Sequence, residues 1–241
     1  MNLTQLLPEF RVFERLTPEQ QSWQIAQSYG VRNGFRLNFV VNSDFQFVDE
    51  TLSSNEISSG LDRLLLGKLR SQADLIVTTG ETARREHYKS SKHAPIAIIT
   101  RSGELDSVPA VQGTQYATPL IVFPQSCSDL VEGNLEDVDV RFVAYDDDQD
   151  AIEAVRAIIE ELSRLGFQSP ILETGPTTSD LFIAAGEVSE ICLTITRGPA
   201  VAASAKLLSR QALTSIFKAA SGFRLETLFV TDQEIFSRWV S

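Results

Sequence analysis

A strand-to-helix junction in the second half of the chain has the residue types of an anion-binding site. The apolar run 170–172 leads through Glu173 and Gly175 to Pro176. Proline suits the first position of a helix because the helix needs no N–H there. The backbone amides from Thr177 onward would then point outward from the positive end of the helix dipole. This pattern predicts a phosphate site at the start of the helix.

A simpler interpretation of the same residues stays open. The junction can be an ordinary β-to-α turn in which the Thr174 hydroxyl caps the helix. Either interpretation places the junction after a strand of an α/β protein, so the rest of the chain has to supply that fold.

Strand and helix signals alternate along the sequence. Helical spacing or capping residues predict helices at 18–29, at 56–72, after Gly80, from the acidic run 146–148 to Gly166, and up to Ala185. Apolar or alternating runs predict strands at 36–42, 74–79, 95–100, 119–123, 139–144, 170–172, 189–196, 225–231 and 235–240. The last two strands form a hairpin. This order predicts an α/β fold with a mostly parallel sheet that is covered on both faces.

Composition and charge exclude several functional classes. The 241 residues are 43% hydrophobic and 22% charged, which is typical of a globular protein with one large domain. The net charge of −11, with 21 scattered basic residues, argues against non-specific nucleic-acid binding. The sequence opens with no charged-then-apolar leader and contains no apolar run approaching about 18 residues, so it signals neither export nor membrane insertion. We therefore expect a cytoplasmic protein.

Cysteine and histidine are too few for several kinds of site. Cys127 and Cys192 are the two cysteines, and His87 and His93 are the two histidines. We therefore expect neither a disulfide framework nor a metal site, and a Ser-His-Asp triad is a weak proposition.

Several segments, in this order and spacing, resemble the reductase half of bacterial bifunctional riboflavin-biosynthesis proteins, a branch of the dihydrofolate-reductase-like fold. They are residues 36–44, 69–74, 79–88, 95–103, 173–176 and 190–194, followed by the terminal hairpin. The resemblance implies a three-layer sandwich with a mostly parallel central sheet, helices on both faces and an antiparallel C-terminal hairpin. It also implies a single domain over 1–241, with a helical extension over 1–30 and the reductase core over 31–241.

The implied activity is that of an NADPH-dependent pyrimidine reductase without the deaminase domain. Such an enzyme reduces the ribosyl group of a phosphorylated ribosylaminopyrimidine to a ribityl chain. The resemblance further implies a homodimer. It places the cofactor against Thr79, Gly80, Thr82, Thr174, Gly175, Pro176 and Thr177.

The resemblance also implies roles for two basic or polar residues and for two acids. Arg101 and Ser102 would select NADPH by binding its 2′-phosphate, although Arg101 alone also fits a solvated turn. Asp44 and Glu173 would flank the substrate pocket, with Asp44 the better group to organise the proton. Either acid could instead be a turn or helix cap.

Two departures from the family pattern leave the substrate open. Phe45 and Thr174 stand where the family has glycine, so each adds a side chain close to the site. A reductase of another pyrimidine or pteridine, or a non-catalytic nucleotide-binding relative, therefore remains an alternative. An unrelated hydrolase or transferase is the last alternative, because the spacings of a nucleophile elbow and of a P-loop are missing.

Overall fold

The computed structural model describes most of the chain, which divides into two compact units. The described residues are 2–47, 54, 57–111, 116–148, 150–196 and 209–241. The first unit comprises Met1–Arg32, Arg36–Leu69 and Val188–Ser241, and the second comprises Asn33–Phe35 and Arg70–Glu187. The single domain expected from the sequence stays a prediction.

Strands and helices alternate along the described residues, as the sequence predicts. The strands are β1 (Leu3–Leu7), β2 (Arg11–Phe13), β3 (Phe35–Asn42), β4 (Leu75–Thr79), β5 (Ile96–Ile99), β6 (Leu120–Pro124), β7 (Arg141–Tyr145), β8 (Pro170–Leu172), β9 (Val188–Thr196), β10 (Arg224–Val230) and β11 (Glu234–Val240). The helices are α1 (Pro18–Tyr29), α2 (Gly60–Arg70), α3 (Gly80–Arg85), α4 (Ser128–Asn134), α5 (Ala151–Arg164), α6 (Pro176–Ala184) and α7 (Arg210–Ile216).

The second unit contains a parallel sheet in the order β8-β4-β5-β6-β7. Its strands are near-continuous apolar runs, and residues 75–78 of β4 and 120–124 of β6 are buried along their whole length. Such runs are typical of parallel strands that are covered on both faces. Because all five strands point the same way, the loops that follow them emerge at one edge of the sheet.

The first unit is largely antiparallel. Its strands follow the order β2-β1-β10-β11-β9, and β3 lies beside β9. Strands β10 and β11 are the predicted C-terminal hairpin, in which Val230 pairs with Ile235. Parallel strands connected through helices, together with this hairpin, confirm the predicted α/β class.

The start of the chain differs from the predicted helical extension over 1–30. Helix α1 forms as predicted, with the Thr17 hydroxyl and the Gln20 side chain making a reciprocal capping box. Residues 3–13, however, form β1 and β2, and Thr4 of β1 pairs with Val230. That pairing joins residues from the two ends of the chain, so no local sequence pattern predicts it.

A second difference concerns the start of α5. The sequence suggested the acidic run 146–148 as its cap, but the capping residue is Asp150, whose carboxylate accepts from the amides of Ile152 and Glu153. The physical reason is the short distance that a capping side chain can span. A capping side chain has to lie directly before the first helical residue to meet the free amides of the first turn.

Gly103, in the loop after β5, has a conformation and surroundings that only glycine tolerates. Its φ is +69°, and a Cβ there would lie 3.0 Å from the Val131 Cα atom and 3.1 Å from the Val131 carbonyl oxygen. We expect Gly103→Ala to lower the free energy of unfolding by about 1–3 kcal/mol, measured by urea titration. The control is Gly133→Ala in α4, where nothing lies within 4 Å of the added methyl group. A loss in Gly133→Ala as large as that in Gly103→Ala would contradict this explanation.

Two buried acids of the first unit make its stability depend on pH. Burial raises the pKa of Asp62, in the first turn of α2, against the opposing effects of hydrogen bonds from Ser58 and Thr194 and of the Arg63 charge. Burial also raises the pKa of Glu234 at the start of β11, and the Asp62 charge adds to that rise. A carboxyl group with a raised pKa in the folded state favours folding below its unfolded pKa, and this contribution is lost as the pH rises through the folded pKa.

We therefore expect Asp62→Asn to be more stable than the wild type at pH 7. The difference in the free energy of unfolding should shrink as the pH falls below the ordinary aspartate pKa of 3.8, because Asp62 is then protonated in both the folded and the unfolded state. Urea unfolding at several pH values measures this. A difference that stays constant with pH would show that Asp62 titrates normally.

Candidate active site

Most of the predicted cofactor residues lie at one edge of the parallel sheet of the second unit. Val77 of β4 pairs with Leu172 of β8, and Thr79 of β4 pairs with Ile99 of β5. The loops that begin after these three neighbouring strands therefore leave the sheet side by side. They carry residues 173–177, 79–82 and 101–102, which the sequence had assigned to the site.

The loop after β8 leaves the start of α6 uncapped. The capping position is Gly175, with a φ of −62°, and Pro176 follows in the first turn. No side chain hydrogen bonds to the helix start among the described residues. A Cβ on Gly175 would meet no atom within 4 Å, so space is open beside the helix amides. These features fit the predicted anion site.

Thr174 does not cap α6, so the predicted hydroxyl cap is wrong, while an ordinary β-to-α turn stays an alternative to the anion site. Its side chain is buried, and its hydroxyl lies 2.9 Å from the Ser179 hydroxyl. Ser179 Oγ also donates to the Thr174 carbonyl oxygen at 3.2 Å. The threonine that replaces a family glycine is thus turned into the protein, where its hydroxyl is satisfied.

The loop after β4 is stabilised by hydrogen bonds between its own residues. The Thr79 hydroxyl caps α3, accepting from the Thr82 amide at 3.2 Å and lying 3.0 Å from the Thr82 hydroxyl. Gly80 is needed for packing, because a Cβ there would lie 3.1 Å from Leu105 Cδ2. The Thr82 amide is therefore already occupied, unlike the amides at the start of α6.

The loop after β5 forms a tight turn with an arginine on its surface. The Thr100 hydroxyl accepts from the Gly103 amide at 3.2 Å, and Asn134 Nδ2 donates to the Ser102 carbonyl oxygen at 2.7 Å. Arg101 is exposed and Ser102 is half-buried. The turn thus presents one guanidinium group to solvent at the carboxyl edge of the sheet.

Glu173 is buried and held by two other side chains. Arg70 donates to it twice, from Nε to Oε1 at 2.8 Å and from Nη2 to Oε2 at 2.6 Å. The Tyr88 hydroxyl donates to Oε2, and the Arg70 guanidinium carbon lies 5.1 Å from the centroid of the Tyr88 ring. We call these three residues, Arg70, Tyr88 and Glu173, the Glu173 clamp.

Electrostatics raises the pKa values of Tyr88 and Arg70, which keeps both side chains protonated near neutral pH. Burial and the Glu173 carboxylate raise the pKa of Tyr88, so its hydroxyl remains a donor. Burial works against the charge of Arg70, but the attraction of Glu173 outweighs it and the Arg70 pKa is raised. Glu173 accepts all three hydrogen bonds, which leaves Oε1 with room for one more donor.

Sequence reasoning assigned no role to Arg70 or Tyr88. Both residues lie in segments that carry the family resemblance, 69–74 and 79–88. Their place in these segments was the one sequence signal that could have pointed to a role in the site. Their common partner could not be read from the sequence because Arg70 lies 103 positions, and Tyr88 lies 85 positions, from Glu173.

Asp44 belongs to the first unit, where it is exposed in the turn after β3. Asn42 organises this turn, since its Oδ1 accepts from the amides of Asp44 and Gln46, both at 2.9 Å. Phe45 lies between them with a φ of +61°, the region that favours glycine. Phe45, which stands where the family pattern has glycine, therefore keeps this turn at the expense of backbone strain. The role of Asp44 stays a prediction.

The described residues contain neither a cluster of metal ligands nor a helix that could cross a membrane. No group of three or more His, Cys, Asp or Glu side chains there is arranged to hold a metal ion. None of the helices there has both the length and the apolar character needed to cross a membrane.

The sequence matches the model of the RibD C-terminal domain family over residues 36–201. The chain belongs to this family. The match covers the chain from β3 to beyond the end of β9. No curated protein matched the sequence.

Solved structures agree with the family assignment. A pyrimidine reductase-like protein from Corynebacterium diphtheriae has a TM-score of 0.65 at 19% identity, covering 93% of this chain and 98% of its own. The riboflavin biosynthesis reductase from Saccharomyces cerevisiae has a TM-score of 0.60 at 11% identity, covering 90% of this chain and 97% of its own.

A bifunctional deaminase and 5-amino-6-(5-phosphoribosylamino)uracil reductase from Thermotoga maritima has a TM-score of 0.59 at 12% identity. The alignment covers 92% of this chain but 60% of that protein. The family match supports a riboflavin-pathway aminouracil reductase function. The predicted family, the α/β fold class and the oxidoreductase class are therefore confirmed, and a nicotinamide cofactor follows from the class.

Proposed function

We propose that the protein is an NADPH-dependent reductase that converts the ribosyl group of a phosphorylated ribosylaminopyrimidine into a ribityl chain. The observation that carries the proposal is the uncapped start of α6, with open space at Gly175, at the same edge of the sheet as the loop that bears Arg101. This arrangement offers backbone amides to a pyrophosphate and a guanidinium to a further phosphate.

The residues of the second unit fit such a cofactor. The amides of Thr177 and Thr178 would hold the pyrophosphate, and Arg101 with Ser102 would hold the 2′-phosphate. The Thr82 amide is engaged by Thr79, so the loop after β4 would contribute through side chains. When bound, the nicotinamide supplies a hydride to the sugar carbon of the substrate.

Two acids would act on the substrate. Glu173 accepts hydrogen bonds from Arg70 and Tyr88, so it would serve as an acceptor for a substrate hydroxyl through the free side of Oε1. Asp44 is exposed and would organise the proton that accompanies the hydride.

A single assay tests the proposal. Purified protein is mixed with NADPH and 5-amino-6-(5-phosphoribosylamino)uracil, and loss of nicotinamide absorbance is followed. We expect oxidation that depends on both compounds. Binding of NADPH without oxidation would favour the non-catalytic alternative, and oxidation with a related pyrimidine or pteridine alone would favour another substrate, which the side chain of Phe45 makes worth testing.

Gly175→Ser is a direct probe of the proposed pyrophosphate site. Serine is a good capping residue and has open space here, so stability should be kept or slightly raised. Its hydroxyl would occupy the amides of α6, and we expect the dissociation constant for NADPH to rise about tenfold, equal to one lost hydrogen bond to a charged group. Gly60→Ser, at the start of α2, is the control, since nothing lies within 4 Å of the added group there either. Equal NADPH affinity in both variants would argue against the site.

The homodimer and the cytoplasmic location are also proposals. The homodimer rests on the dimers of the family that the chain resembles and on the general frequency of two-fold dimers. The cytoplasmic location rests on the low cysteine content, with Cys127 and Cys192 alone, which suits a reducing compartment. Light scattering of the purified protein tests the first, and a monomer mass at micromolar concentration would contradict it.

A further inference from the structure

We propose that Arg70 and Tyr88 are positioning residues, which use Glu173 to fix the two cofactor loops after β8 and β4 relative to each other. The proposal rests on the proposed function and deepens it by assigning residues that the resemblance left without a role. The carrying observation is that one buried carboxylate joins three segments, each leading to or from the candidate site.

Glu173 anchors the loop after β8. Its amide donates to the Val77 carbonyl oxygen at 2.8 Å, and its carbonyl oxygen accepts from Thr78 Oγ1 at 2.8 Å. The residues that follow it are Thr174 and Gly175, the latter at the start of α6. Any displacement of Glu173 therefore moves the backbone that presents the α6 amides.

Tyr88 anchors the loop after β4. Helix α3 starts at Gly80 within that loop, and the Tyr88 amide donates to the Ala83 carbonyl oxygen at 3.0 Å. The Tyr88 carbonyl oxygen accepts from the Ala110 amide at 2.8 Å. With its backbone fixed to α3 and its hydroxyl on Glu173, Tyr88 connects the α3 loop to the α6 loop.

Arg70 determines the orientation of the carboxylate. Its two parallel N–H groups meet the two oxygens of Glu173, a geometry that a lysine cannot reproduce. The guanidinium also lies against the Tyr88 ring. Glu173 is 6% exposed, so the fork both neutralises its charge and holds it in one position.

Tyr88→Phe is the sharpest variant, because it removes one hydroxyl and keeps the ring beside Arg70. We expect the dissociation constant for NADPH to rise about tenfold, while kcat at saturating NADPH changes less than about threefold. Amide hydrogen exchange in residues 174–179 should become faster, and exchange in α1 should stay unchanged. The second variant, Arg70→Lys, should show the same split, and the double variant should be little worse than either single one, because the three residues act as a unit.

The control is Tyr29→Phe, which removes the hydroxyl of a buried tyrosine in the first unit. It should leave NADPH affinity and the exchange of residues 174–179 as in the wild type. All variants are measured at a temperature well below their melting points, so that loss of folded protein does not contribute.

The outcomes separate this proposal from the proposed function. Wild-type protein that binds NADPH, with a Tyr88→Phe variant that binds it equally well, overturns the positioning role and leaves the function intact. A Tyr88→Phe variant whose kcat falls and whose pH profile of kcat shifts overturns it as well, since Glu173 would then take part in proton transfer. Wild-type protein that binds neither NADPH nor NADH overturns both proposals.

Discussion

Glu190→Ala should lower the free energy of unfolding by about 3–5 kcal/mol, because it removes the carboxylate that two buried guanidinium groups share. Glu190 is 1% exposed and accepts from Arg36 Nε at 2.6 Å and from Arg238 Nε. The two arginine side chains are 8% and 4% exposed. Removing the acid that a buried ion-pair network shares lowers the free energy of unfolding far more than losing a surface ion pair does.

The neighbours of this network cannot compensate for the loss. Arg238 Nη1 also donates to Glu226, but its Nη2 is buried and has no partner among the described residues. The same surroundings raise the pKa of the buried Cys192 thiol to about 12, chiefly through burial. The site is therefore dry enough for an uncompensated charge to be expensive.

Urea unfolding of Glu190→Ala measures the effect, with Arg156→Ala as the matched control. Arg156 pairs with Glu153 on the exposed surface of α5, and its loss should change stability by less than about 0.5 kcal/mol. A Glu190→Ala protein as stable as the control would mean that water or a shifted side chain satisfies both arginines.

Arg101→Ala should raise the dissociation constant for NADPH by about 10–100-fold while leaving that for NADH nearly unchanged. The exposed guanidinium would make charge-assisted hydrogen bonds to the 2′-phosphate, each worth about 1.5–3 kcal/mol, and NADH has no such phosphate. Fluorescence titration with both dinucleotides measures the ratio. The control is Arg85→Ala in α3, whose side chain pairs with Glu81 on the surface.

A variant that loses both dinucleotides equally would contradict the assigned role of Arg101. It would indicate that the residue stabilises the turn after β5 rather than reading the phosphate. Unchanged affinity for both would move the 2′-phosphate to another part of the protein.

Local sequence patterns predicted the elements that local physics controls. The capping box at Thr17, the proline that opens α6, and the apolar runs of β4 to β6 all act within a few residues, so each could be read directly. The resemblance added the family, which the family match then confirmed.

Other features escaped the sequence because they join distant residues. The pairing of β1 with β10 connects the two ends of the chain, and the inward turn of Thr174 depends on where Ser179 lies. In the same way, the sequence suggested Glu173 as an acid of the substrate pocket, but it could not predict that Arg70 and Tyr88 hydrogen bond to it.

By itself the sequence determined an α/β fold and a family, and it predicted an anion-binding helix start after Gly175, because these inferences follow from short-range spacing and residue type. Only the tertiary structure decided that the α6 amides stay uncapped, that the Thr82 amide is engaged, and that Glu173 is held by Arg70 and Tyr88. Hydrogen bonds between side chains far apart in the chain form only after packing fixes both partners, and a linear pattern carries no record of that geometry.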